Sequence, residues 1–172
     1  MTSISNIKMY LKKPKMLFIR IGRESFLKLM SDEQFLKLLW NTNFGTCLNL
    51  ESPKTFNEKL QWLKLHNRRP EFTTMVDKYA VKDYIRSLIG DEYVVPTYGV
   101  WEKFNDIDFD QLPSQFVLKC THDSGGIYIC KDKEQIDHSA VEKKLNYFLK
   151  RRDYWLSREW PYKNVKPRIM AE

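Results

Sequence analysis

The run Phe116-Val117-Leu118-Lys119-Cys120-Thr121, His122-Asp123-Ser124-Gly125-Gly126, Ile127-Tyr128-Ile129-Cys130 constrains the fold more than any other part of the chain. Two short stretches of β-branched, aromatic and other apolar residues flank a Ser- and Gly-containing turn, the pattern of an antiparallel hairpin. A lysine inside a strand that otherwise reads Phe-Val-Leu wants an anion, because burying an ammonium without a partner is expensive. Gly125 and Gly126 free the backbone to approach a ligand and to offer N–H groups, and Ser124 adds a hydroxyl. A strand lysine followed by a glycine turn suits a phosphate clamp. The local pattern alone favours an exposed lysine beside an ordinary hairpin turn over the clamp.

Upstream of the hairpin the period is helical. Ser31 and Gln34 form a capping-box pair ahead of Phe35, Leu38 and Leu39, and that stripe runs out near Asn43 and Gly45. Thr55 and Glu58 open a second helix over Phe56 to His66, with Phe56, Leu60 and Leu63 at i, i+4 and i+7, and Pro70 closes its trailing loop. A third helix is expected from Met75 or Asp77 to a cap at Gly90. Tyr93 to Trp101 is β-branched and aromatic, hence extended, with Pro96 marking an edge or a break. After the hairpin, Ser139 with Glu142 is expected to cap a helix through Val141, Leu145, Phe148 and Leu149, and Pro167 to Glu172 reads as a strand just beginning. The tryptophans, Trp62 among them, are expected in the core. Cys120 and Cys130, on the two strands, could lie near each other.

Charge separates the chain into a basic arm and a nearly neutral body. Residues 1–28 hold seven basic side chains against Glu24 alone, so they carry +6 of the net +7. That distribution excludes a uniformly basic nucleic-acid binder. Ile4, Ile7 and Leu11, then Leu17, Phe18 and Ile21, are loosely compatible with an amphipathic helix broken near Pro14, which allows a peripheral membrane contact through residues 1–28 or a helix packed on the body. No stretch reaches the roughly 18 to 20 apolar residues of a membrane span or the apolar core of a signal peptide. Three cysteines without CxxC spacing argue against a disulfide framework or structural zinc, and a reducing cytoplasm fits. The three histidines form no metal-ligand pair; His122 could line a nucleotide site or be satisfied by its neighbours. Neither GxxxxGK[ST] nor GxGxxG occurs, and the order of lysine and glycines is wrong for a protein kinase.

The ordered series Phe56-Asn57-Glu58-Lys59-Leu60-Gln61-Trp62-Leu63, Asp77-Lys78-Tyr79, Val94 to Val100, Leu112-Pro113, Phe116 to Lys119, His122 to Gly126 and Pro167-Arg168-Ile169-Met170-Ala171-Glu172 resembles the TupA-like ATP-grasp family over roughly residues 50 to 172. The family is named for teichuronopeptide biosynthesis and is associated with polysaccharide gene clusters. The resemblance implies an α+β, ATP-grasp-like fold: a basic arm over residues 1–30, a helical region over 31–90, and over 91–172 the first ATP-grasp subdomain, an antiparallel hairpin with packed helices. It implies ATP as cofactor, with Lys78 and Lys119 as the two phosphate-directed lysines. Ser124, Gly125 and Gly126 would form the lid, and Glu172 would contact adenine or ribose. It further implies a ligase that joins a carboxylate to an amine through an acyl-phosphate, with a polysaccharide-linked acceptor or sugar acid as partner.

The family's Mg²⁺ residues, two acids and an asparagine on later strands, are expected beyond residue 172, so Mg²⁺ is expected only in a full-length relative and the chain reads as the N-terminal part of one. Two other functions remain in view. A glycosyltransferase would draw on the acidic pair of Asp106-Ile107-Asp108, and a catalytically inactive interaction module would dock through the basic arm.

Overall fold

A computed structural model describes residues 14–23 and 25–172, so Ile4, Ile7 and Leu11 lie outside the described residues. In chain order the helices are α1 (Pro14–Gly22), α2 (Asp32–Phe44), α3 (Phe56–His66), α4 (Glu71–Val76), α5 (Ala80–Ile89), α6 (His138–Lys150) and α7 (Tyr154–Ser157), and the strands are β1 (Gly99–Trp101), β2 (Phe116–Cys120), β3 (Ile127–Cys130) and β4 (Ile169–Ala171). The chain divides into two compact units. One runs to Arg68 and takes in Tyr154–Trp160; the other holds Arg69–Asp153 and Pro161–Glu172.

In the first unit the two expected capping boxes are present. Ser31 Oγ accepts from Gln34 N at 3.2 Å while Gln34 Oε1 accepts from Ser31 N at 3.3 Å, and Thr55 with Glu58 does the same for α3. Gly45 ends α2 at φ 71°, the left-handed region that favours glycine. α1 begins at Pro14, which a first turn tolerates because a residue there has no intrahelical N–H bond to lose. Ile19, Leu27 and Phe35 form the core. Against it lies Arg158, buried, with its guanidinium 4.6 Å from the Phe35 ring and 4.5 Å from the Trp155 ring and a 2.8 Å bond to the Leu27 carbonyl. None of the residues of α3 is buried, so its Phe56, Leu60 and Leu63 stripe stays open. Trp62 is likewise not core: it is more than a third exposed and stacks on His66 at 4.4 Å.

The second unit is built on a four-stranded antiparallel sheet of order β1-β4-β2-β3. The expected final strand is therefore interior, hydrogen-bonded on both sides, and β1 and β3 are the edges. Opposed residues share a face, so Leu118 and Ala171, with Phe116, Cys120 and Ile169, turn to one side. There they meet Val141 and Leu145 of α6 and Phe104, Ile107 and Leu112 from the loops, which form the core. Lys119, Met170, Val117 and Glu172 turn to the other side. Phe116 stands opposite Cys130, so Cys120 lies at the far end of β2, about 13 Å along the strand, and the two thiols are not neighbours.

Several expected boundaries differ in the structure. The helix expected from Met75 or Asp77 is two helices, because Asp77 adopts an extended conformation (ψ 110°) and its carboxylate accepts from Tyr79 N and Ala80 N, which caps α5. The loop that trails α3 does end at Pro70, whose φ of −56° and ψ of −36° lead into a further helix, α4. The extended segment from Tyr93 joins the sheet only at Tyr98, whose N–H donates to the Ala171 carbonyl at 2.9 Å, since Asp91–Tyr93 coils into a 3-10 turn and Pro96 has no N–H to donate. Ser139 does not cap α6. Asp137 does, accepting from Ala140 N at 2.9 Å, and a carboxylate there also meets the positive end of the helix dipole.

Candidate functional site

On the second unit the face of β2 and β4 turned away from the core gathers Lys119, Glu172, the fully buried Met170 and, from α5, Lys82. Strand alternation sets this up: Val117 pairs with Glu172 through both main-chain bonds, which places Lys119 diagonally across from Glu172 on the same face. The Glu172 carboxylate accepts from the Lys119 ammonium on one oxygen and from the Lys82 ammonium on the other. Lys82, only 8 % exposed, also donates to the Val95 carbonyl at 2.7 Å and to Thr97 Oγ1 at 2.6 Å. Burial would raise the Glu172 carboxyl above its ordinary value. The hydrogen bonds from Lys119 and Lys82 outweigh it and hold the group below that value. Two ammoniums on one carboxylate leave the triad with a net positive charge.

Lys78 sits one turn of α5 before Lys82, in the bend between α4 and α5. Its N–H donates to the Thr121 carbonyl at 3.1 Å, and its ammonium reaches the carbonyls of Cys120, at 3.2 Å, and Asp123. Burial pushes its pKa below the usual lysine range, against the pull of the Asp123 and Asp153 carboxylates. The bend is held by the residue before β4: Arg168 donates to Asp77 Oδ2 at 2.7 Å and lies over the Tyr79 ring at 4.8 Å.

The turn between β2 and β3 is tied down by carboxylates. Ser124 N and Ser124 Oγ donate to Asp153 Oδ2 at 3.1 and 3.2 Å, and Gly126 N donates to Asp123 Oδ1 at 3.0 Å. Neither Gly125 nor Gly126 has a positive φ. Their need for glycine is space: a Cβ on Gly126 would stand 2.6 Å from Cys120 Sγ and 2.9 Å from Phe148 Cβ, and one on Gly125 would stand 2.4 Å from the Phe148 ring. His122 is buried beneath the turn. Its Nε2 donates to the Arg151 carbonyl at 3.1 Å, Nδ1 has no partner, and burial lowers its pKa, which favours the neutral ring.

The six residues singled out in the sequence thus fall in one unit. Lys119 and Glu172 are in contact, Lys78 stands over the end of β2, and Ser124, Gly125 and Gly126 form the turn that follows. Sequence reading missed Lys82, Arg168, Asp123 and Asp153. Lys82 had a signal, its i+4 spacing from Lys78 on one helix face. Asp153, 29 residues from Ser124, had none. Of the pair Asp106 and Asp108, the latter caps a 3-10 turn, accepting from Asp110 N and from Gln111 Nε2. Among the described residues no three His, Cys, Asp or Glu side chains gather to hold a metal ion, and no helix is long and apolar enough to cross a membrane.

The family model for TupA-like ATPgrasp matches residues 58–172. The match takes in more than half of the chain, and the protein belongs to that family; the fold of the second unit is compatible with a partial ATP-grasp-like domain. No curated protein and no solved structure matches the chain.

Two outcomes are expected at this site. Gly126→Ala should lower stability by about 1–3 kcal/mol in urea unfolding, because its methyl group meets the Cβ atoms of both Cys120 and Phe148. Gly125→Ala should cost less, since the Phe148 ring tip can rotate away. For Glu172, a folded-state pKa held below the unfolded value means that its contribution is complete above the unfolded value of about 4.3 and is lost as pH falls through the folded one. Glu172→Gln should therefore be less stable than wild type at pH 7 and should lose less on acidification to pH 3, as followed by circular dichroism.

Proposed function

We propose that this protein binds ATP at the Lys119–Glu172 face of β2 and β4 and forms part of an ATP-dependent carboxylate–amine ligase-like protein of cell-surface polysaccharide biosynthesis. The observation that carries the nucleotide part is the convergence of Lys82 and Lys119 on the one carboxylate of Glu172, which leaves a net positive, largely buried cluster on the sheet. Lys119 and Lys78 would meet the phosphates. Glu172 would meet ribose or adenine, and Ile127 and Ile129, exposed on the face that carries Lys119, offer apolar surface to a flat base. Ser124, Gly125 and Gly126 would cover the phosphates as a lid, for which the bonds to Asp153 and Asp123 must exchange for bonds to the nucleotide.

Mg²⁺ would accompany the nucleotide in a full-length relative, held by acidic residues and an asparagine other than the described ones. The second substrate would be a polysaccharide-linked acceptor or a sugar acid, the reaction would run in the cytoplasm, and the basic residues 1–28 would supply a peripheral membrane contact suited to work on a membrane-borne precursor.

The direct test is titration of the full chain with a fluorescent ATP analogue. Lys119→Ala should weaken binding at least about tenfold, while Lys119→Arg retains most of it. Glu172 keeps Lys82 in the alanine variant, so the fold should persist. Equal affinity of wild type and Lys119→Ala would overturn the assignment.

A further inference from the structure

We infer that the first unit carries a docking surface for an anionic lipid bilayer, formed by Leu17, Phe18, Ile21, Phe26 and Leu29 together with the exposed Lys15, Arg20 and Lys28 of the same two segments. The inference rests on the membrane contact proposed above for residues 1–28, and it involves none of the residues of the nucleotide site.

On α1, Ile19 and Gly22 are buried, and Ile19 joins Leu27 and Phe35 in the core. That orientation turns Leu17, Phe18 and Ile21 outward. The short 3-10 turn Phe26–Leu29 repeats the division, with Leu27 inside and Phe26 and Leu29 outside. The two segments present one patch, since the Phe18 and Phe26 rings are 5.2 Å apart. Ile21 is 63 % and Leu29 91 % exposed. Single exposed apolar residues are ordinary; five within thirteen residues, two of them in ring contact, are a binding surface.

Charge selects the occupant. Lys15, Arg20 and Lys28 are exposed on the same two segments, and residues 1–28 carry seven basic side chains against one acid. Basic side chains beside Phe, Leu and Ile on a short amphipathic helix match the boundary between headgroups and acyl chains, where negative charge is spread over the surface. Nine residues of α1 fall far short of the roughly 20 that a span needs, so the helix would lie on the bilayer.

The test is co-sedimentation of the full chain with phosphatidylcholine vesicles, with and without phosphatidylglycerol. Binding should require phosphatidylglycerol and weaken as salt rises. The triple variant Phe18→Ser, Ile21→Ser, Leu29→Ser should lower the partition coefficient about a hundredfold, and Lys15→Glu with Lys28→Glu about tenfold, with the circular dichroism of both unchanged. Wild type that binds while both variants bind equally overturns this surface and leaves a membrane contact elsewhere in residues 1–28. Wild type that binds neither vesicle overturns the surface and the membrane contact together. Self-association lost in the serine variant, without vesicle binding, overturns the inference in favour of a second copy as occupant. ATP affinity should be the same in every variant, which keeps these outcomes separate from the nucleotide assignment.

Discussion

Glu172 between Lys82 and Lys119 is the interaction on which the second unit turns. Each ammonium withdrawn from water carries a desolvation cost of several kcal/mol, which one shared carboxylate only partly offsets. The remainder is met by oxygens around Lys82, from Val95 and Thr97. The three charged residues come from α5, β2 and the end of β4, so one carboxylate joins elements that are distant in sequence. Such an arrangement is weak as a stabiliser and strong as a selector of register. A slip of β4 by one residue would turn Glu172 toward Leu118 and the core and leave two lysines without a counter-ion.

The same electrostatics recur at the turn. Ser124 and Gly126 direct their N–H groups to Asp153 and Asp123, and the Lys78 ammonium is held by carbonyls at the end of β2. Donors suited to phosphate are here paired within the chain, so the turn has a defined resting position. Close approach to Cys120 and Phe148, which only glycine permits, sets that position from the opposite side. A turn held by exchangeable polar bonds over a fixed apolar seat can move without disturbing the sheet.

Much of the fold was legible because its signals are local. The capping boxes at Ser31 and Thr55, the glycine ends of α2 and α5, and the hairpin from Phe116 to Cys130 each depend on residues a few positions apart. Departures arose where a side chain overruled the period. Asp77 interrupted a continuous helical pattern, Asp137 took the cap expected of Ser139, and the stripe on α3 proved to be open surface. At the site, Lys78, Lys119 and Glu172 could be named from motif order. That Glu172 is held rather than solvated depends on β4 lying inside the sheet, a pairing between segments about fifty residues apart. Lys82, Arg168 and Asp153 act through contacts of that kind.

The most direct measurement of the central claim, that ATP meets this protein on the Lys119–Glu172 face, is amide chemical-shift mapping of the full chain on addition of ATP. The largest changes should fall on Lys78, Lys119, Ser124 to Gly126 and Glu172, with the α1 region unaffected. Saturable changes confined to other residues, or none at all, would contradict it.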